Sequence, residues 1–221
     1  MSIDIKALVT TLEPDVLTPL LAPSRTALVI IDVQRDFAAP DGLLGQWGAD
    51  LSSVPPALDR AEALIAAARR AGVPLLYVLL ETRPETDSEA LRQFMARRGI
   101  DPDTGPAICR AGTAGAEPYR LLPQAGDLIV RKVLYSAFSG TDLAETLKAR
   151  GIDTLVLTGL TTDCCVDCTA RDGFHQDFNI FLAHDACAAP DPDTHAGALN
   201  GLARNCAILL DSDAILSAWT A

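Results

Sequence analysis

"DTLVLTGLTTDCCVDCTARDGFHQDFNIFLAHDA" (residues 153–186) runs from one apolar segment, through a stretch with helical spacing, into a second apolar segment. The two apolar segments, "DTLVLTGL" (153–160) and "NIFLAHDA" (179–186), are near-continuous rather than alternating. That is the pattern of strands buried on both faces. Strand, helix, strand in succession predicts a parallel pair joined by a crossover helix. The helix between them opens with Cys164 and Cys165 and carries Cys168 one turn further on.

The same alternation extends in both directions. "ALVIID" (27–32), "PLLYVLL" (74–80), "DLIVRK" (127–132) and "CAILLD" (206–211) complete a set of six predicted strands. Helical spacing recurs at 54–72, 141–151 and 193–205, with Gly72, Gly151 and Asn205 standing where helices stop. The reading is a single-domain α/β fold: a six-stranded parallel sheet with helices on both faces, a Rossmann-like three-layer sandwich. Residues 1–24 are expected as a partly helical N-terminal extension, and 25–221 as the domain proper. Residues 81–123 depart from the alternation. An excursion of that length in an α/β domain suits a lid or binding loop, and its six arginines are balanced by seven acids, as on a solvated surface.

Composition excludes some classes. Of the 221 residues 49% are hydrophobic, enough for a sizeable core. No apolar run approaches a membrane span, and "MSIDIKALVTTLEPD" lacks the basic start and apolar stretch of a secretory signal. A formal net charge of −11 argues against nucleic acid or an anionic membrane as partner. The six cysteines do not read as a disulfide framework in a chain with this much core. Cys109, Cys187 and Cys206 are expected to be buried filler. The expected location is the cytoplasm.

In doubly wound sheets ligands bind beyond the carboxyl ends of the strands. Asp32 ends the first strand, Lys132 the third, and the fourth runs through Gly159 into the cysteine pair. A helix N-terminus favours a thiolate, and its free N–H groups suit an oxyanion. A carboxylate and an ammonium at neighbouring strand ends would complete a nucleophile site. Each residue also has a plainer reading: Asp32 as a turn residue, Lys132 as a solvated strand end, the thiols as packing. Cys165-Val166-Asp167-Cys168 further allows a CxxC dithiol redox protein, although that role leaves Asp32 and Lys132 unexplained.

Three blocks together, "ALVIIDVQRDF", "VRKVLYSAFSGTDL" and "LVLTGLTTDCCVDCTARDGFHQDFNIFLAHDACAA", resemble the cysteine hydrolases of the isochorismatase-like superfamily from about residue 26 to residue 217. The resemblance implies a catalytic triad of Asp32, Lys132 and Cys165, the nucleophile lying six residues after Gly159, with Cys164 a variable neighbour. It also implies a non-proline cis peptide at Leu160–Thr161, with the backbone N–H groups of Thr161 and Cys165 as the oxyanion site. Homodimers or homotetramers are the expected assemblies. An ether hydrolase of the isochorismatase type is the alternative within the superfamily, and the cysteine in the nucleophile slot weighs against it.

Some members of this superfamily hold a metal with an Asp and two His after the second strand, but "YVLLETRPETDSEALRQF" (77–94) has no histidine. The chain's three histidines, His175, His184 and His195, all follow the nucleophile, and surface or capping roles are expected for them. No metal and no cofactor is therefore expected. The resemblance then implies a small amide or ureide substrate, of the kind of N-carbamoylsarcosine, biuret, ureidoacrylate or maleamate. Phe37 is expected as an apolar pocket wall, and Arg35 as a group that could reach a substrate carboxylate.

Overall fold

The computed structural model describes residues 3–105 and 107–220. Met1, Ser2, Pro106 and Ala221 lie outside the described residues, so the expected 1–24 and 25–221 segments are seen from residue 3 to residue 220. Along the chain run α1 (Pro14–Leu20), β1 (Thr26–Ile31), α2 (Arg35–Ala38), α3 (Leu43–Gln46), α4 (Val54–Ala71) and β2 (Leu75–Leu80). Then come α5 (Glu89–Arg97), β3 (Leu128–Lys132), α6 (Leu143–Lys148), β4 (Thr154–Leu160) and α7 (Asp167–His175). The chain closes with β5 (Asn179–Ala188), α8 (Pro192–Asn205), β6 (Ile208–Leu210) and α9 (Ser212–Thr220).

All six predicted strands form, and they make one parallel sheet in the order β3-β2-β1-β4-β5-β6. Successive residues of the central strands face opposite cores. Leu28, Ile30, Val156 and Phe181 meet α1, α4 and α9 on one face. Val29, Ile31, Leu155, Leu157 and Leu182 meet α6, α7 and α8 on the other. Two covered faces explain why these strands read as continuous apolar runs. The exception is β3, where Ile129 and Arg131 are exposed while Leu128 and Val130 are partly covered. An edge strand has no second neighbour, and here only one of its faces is packed.

The N-terminal segment belongs to the core rather than trailing from it. Leu17 and Leu21 are buried, and the Trp219 indole N–H donates to the Leu21 carbonyl at 3.0 Å. Among the described residues no helix is long and apolar enough to cross a membrane.

Parallel strands bring every carboxyl end to one rim, and the strand order reverses between β1 and β4, the usual place for a ligand. In register, Ile31 stands beside both Val78 and Gly159, and Leu80 stands beside Lys132. One residue past Ile31, Asp32 turns the chain with φ 50°, a conformation aspartate tolerates better than most residues.

Candidate active site

Asp32, Lys132 and Cys165 meet at this rim. The Lys132 ammonium donates to Asp32 Oδ2 at 2.7 Å, to the Leu134 carbonyl at 2.9 Å and to Cys165 Sγ at 3.5 Å, so each of its three protons has an acceptor. The three residues are 0%, 2% and 3% exposed. The second carboxylate oxygen, Asp32 Oδ1, is buried without a hydrogen-bond partner. A buried carboxylate oxygen left open is costly unless it has work to do.

Electrostatics follow from burial and net charge. Burial raises the Asp32 pKa, opposed by the Lys132 charge, by the nearby Cys165 thiol and by the hydrogen bond from Lys132. Burial works against the Lys132 ammonium, but Asp32 and the Cys165 sulfur together outweigh it and hold it at about 12. An ionised Asp32–Lys132 pair is neutral overall. A thiolate would add an uncompensated negative charge to a closed pocket. The Cys165 pKa is accordingly pushed well up, by the hydrogen bond with Cys164, by burial and by Asp32, against the pull of Lys132. The helix N-terminus was expected to favour a thiolate at Cys165; here the Cys164 thiol, burial and Asp32 all work the other way.

The cysteines sit on a π-helical turn, Thr162–Val166, that precedes α7, rather than on the first turn of an ordinary helix. The amides of Cys164 and Val166 both donate to the Thr161 carbonyl, at 3.1 and 3.2 Å. The Leu160–Thr161 peptide is cis. On α7, the Thr169 hydroxyl accepts from the Ala137 amide at 3.0 Å, tying the turn's far end to the segment that follows Lys132. All six cysteines are free; Cys109 and Cys187 are buried, and Cys164, Cys168 and Cys206 are partly so.

The two expected substrate contacts are not gathered at this point. Phe37 is buried in the core beside Leu17 and Tyr77. Arg35 pairs with Asp41 on the rim of a separate cavity of about 400 Å³, whose lining contains none of Asp32, Lys132 and Cys165. A short charged side chain six residues away satisfies the guanidinium locally, so it is spent at the surface. Among the described residues no group of three or more His, Cys, Asp or Glu is placed to hold a metal ion.

Several residues that shape the site were not singled out in the sequence. Gln34 is fully buried: its amide nitrogen donates to the carbonyls of Leu80 and Ala116, both at 2.8 Å, and its oxygen accepts from Leu80 N. Asp36 accepts from the amides of Cys109 and Leu43. Together they fasten the 81–123 excursion to the end of β1. Their signal lay in the polar residues of "DVQRDF", which follow a buried strand and have no surface to face. Tyr135, three residues past Lys132, has a raised pKa from burial and from Cys164, Cys165 and Cys168. With Leu91 and Phe94 of α5 it lines an apolar cavity of about 350 Å³.

The Isochorismatase domain family model matches residues 26–214. Ureidoacrylate amidohydrolase RutB of Methylobacterium radiotolerans is 36% identical over 192 residues, covering 81% of this chain and 73% of that protein. A cysteine hydrolase of Pseudomonas syringae pv. phaseolicola superposes with a TM-score of 0.75 at 26% identity, over 90% of this chain and 93% of that one. N-carbamoylsarcosine amidase of Thermoplasma acidophilum superposes with a TM-score of 0.68 at 31% identity, over 86% of this chain and 97% of that one.

Proposed function

This chain belongs to the isochorismatase domain family, and on that premise we propose that it is a cysteine amidohydrolase that cleaves a C–N bond of a small amide or ureide. Cys165 is the nucleophile, Asp32 its base and Lys132 the group that holds both. The observation that carries this reading is one buried ammonium touching a carboxylate and a thiol at once, beside a carboxylate oxygen left free.

The chemistry follows from the resting protonation. As a substrate carbonyl approaches, the Cys165 proton passes to Asp32 and sulfur bonds to carbon. The negative charge moves from sulfur to the carbonyl oxygen, where the amides of Thr161 and Cys165 receive it. Asp32 returns the proton to the nitrogen, the C–N bond breaks, and ammonia or a small amine leaves a thioester on Cys165. Water then attacks the thioester with Asp32 again taking the proton, and the departing sulfur recovers it. Lys132 keeps its proton throughout; its charge offsets Asp32 whenever that residue is ionised.

A ureide or aliphatic amide suits the site because ureidoacrylate and N-carbamoylsarcosine are what the similar enzymes' names specify. No metal takes part in this scheme. The CxxC redox alternative loses support because the Cys165 sulfur is enclosed with Asp32 and Lys132, which a dithiol couple does not need. The protein works in the cytoplasm, which suits six free thiols. It assembles as a homodimer or homotetramer, a reading favoured by the exposed Phe94, Ile129 and Val133 and tested by light scattering on the purified chain.

The deciding experiment measures ammonia release from a panel of ureidoacrylate, N-carbamoylsarcosine, biuret, maleamate and nicotinamide, before and after exhaustive chelation. The expected result is the highest kcat/KM on a ureide or aliphatic amide, unchanged by chelation. Preference for nicotinamide with loss of rate on chelation defeats the reading.

A further inference from the structure

We propose that His195 is a positioning residue that sets the nucleophile turn through Thr162; this rests on the assignment of Cys165 as the nucleophile. The two residues come from different layers of the chain. His195 lies in the first turn of α8, a helix opened by Pro192 and capped by Asp191, whose carboxylate accepts from Thr194 N at 2.7 Å. Its Nδ1 is 2.9 Å from Thr162 Oγ1. Thr162 is the first residue of the π-helical turn, is fully buried, and stands three residues before Cys165.

The turn closes on the Thr161 carbonyl, which accepts two amides, and through the Asp167 amide, which donates to the carbonyls of Cys164 and Thr162. Its far end is tied through Thr169 to Ala137. The His195–Thr162 bond adds a side-chain tie from the opposite flank. With it the turn is held between α8 and the segment following Lys132, the segment whose Leu134 carbonyl also accepts from the Lys132 ammonium. Loss of the His195 tie lets the buried start of the turn shift, and a displacement of the nucleophile by about 1 Å costs on the order of 10²-fold in rate.

The surroundings suit a neutral imidazole. The ring borders a small cavity of about 150 Å³ with Asp50, Ser53, Cys187 and Pro190. Burial, then the repulsion of His184 on β5, hold its pKa below the ordinary 6.5, against the pull of Asp163 on the turn itself. A neutral ring can share a hydroxyl proton in either direction, whereas an imidazolium only donates. His195 does not touch the reacting atoms, so its effect must reach catalysis through the placement of Cys165.

The test uses His195→Leu, His195→Gln, Thr162→Val and the Leu/Val double variant, each checked for folding by its melting curve. Two readouts are taken: kcat and KM for ammonia release from ureidoacrylate, and the rate of Cys165 alkylation by iodoacetamide followed by mass spectrometry. His195→Leu should lower kcat by about tenfold with KM within about twofold, and slow alkylation by about fivefold or more. His195→Gln, which can still hydrogen-bond, should recover to within about threefold of the parent, and the double variant should be no worse than the worse single one. A folded His195→Leu protein with parental kcat and alkylation rate overturns the proposal, as does a Gln variant no better than Leu or a double variant whose effects multiply. Should His195→Leu not fold, Thr162→Val at full rate overturns it alone. The alkylation arm needs no substrate and stands if ureidoacrylate is not turned over. Activity surviving in Cys165→Ala would sink the nucleophile assignment instead, whereas a dead Cys165→Ala beside a normal His195→Leu sinks only the present inference.

Discussion

A Cβ built on Gly159 would stand 2.1 Å from the carbonyl oxygen of Ile31. The ends of β4 and β1 approach here as closely as backbones can, one residue before Asp32 and six before Cys165. Gly159 also has φ 116°, a conformation that other residues rarely adopt. The strand ends bearing Asp32 and leading to Cys165 therefore come together at a position without a side chain. Gly159→Ala must part the strands or distort them. It should lower stability by at least ~2 kcal/mol in a denaturant melt and abolish ammonia release. Parental stability with parental rate would show that the approach is not needed.

The adjacent thiols separate cleanly. Cys165→Ser keeps the shape but loses the nucleophile, and turnover should fall below detection; Cys164→Ala should keep most of it. An active Cys165→Ser protein beside a dead Cys164→Ala one would place the nucleophile one residue earlier.

Asp32→Asn removes the base while keeping size and polarity. Its kcat should drop at least ~10²-fold, the usual scale of a positioned acid–base group. Steady-state rates within a few-fold of the parent would strip Asp32 of that role.

Lys132→Met tests the buried pair by stability. With a folded-state pKa of about 12 against the ordinary 10.5, the ammonium contributes stability that is fully present below pH 10.5 and lost as pH rises through about 12. At pH 7 the variant therefore forfeits all of it and leaves the buried Asp32 carboxyl without its cation, a loss of roughly 3–5 kcal/mol. Because Asp32 can protonate, the deficit should shrink as pH falls. Urea melts at pH 7 and pH 5 check both statements; an equal deficit at the two values would contradict the second.

A Cys165 pKa pushed up by Cys164, burial and Asp32 makes a prediction opposite to that of a helix N-terminus acting alone. Without substrate, alkylation of Cys165 by iodoacetamide should keep rising with pH past the ordinary thiol value of 9.0. A rate that levels off below pH 8 would mean a resting thiolate.

The six strands and their parallel pairing were legible in the chain itself, as were Asp32 and Lys132 as strand-end candidates, whereas the choice of Cys165 over Cys164 came from the family resemblance. A strand buried on both faces must be apolar throughout, so its ends are marked by the first polar residues, and parallel connection sends all those ends to one rim. Other matters were settled only by tertiary structure. Whether Cys165 rests as thiol or thiolate depends on the charges of Asp32 and Lys132, 100 residues apart in the chain and buried together beside the sulfur. Arg35 found its carboxylate in Asp41 rather than near the nucleophile, and His195, plain in a helical pattern, found Thr162 across the sheet's rim. Local sequence carries periodicity and turn chemistry, whereas burial and pairing are properties of groups that only the completed fold brings within a hydrogen bond of one another.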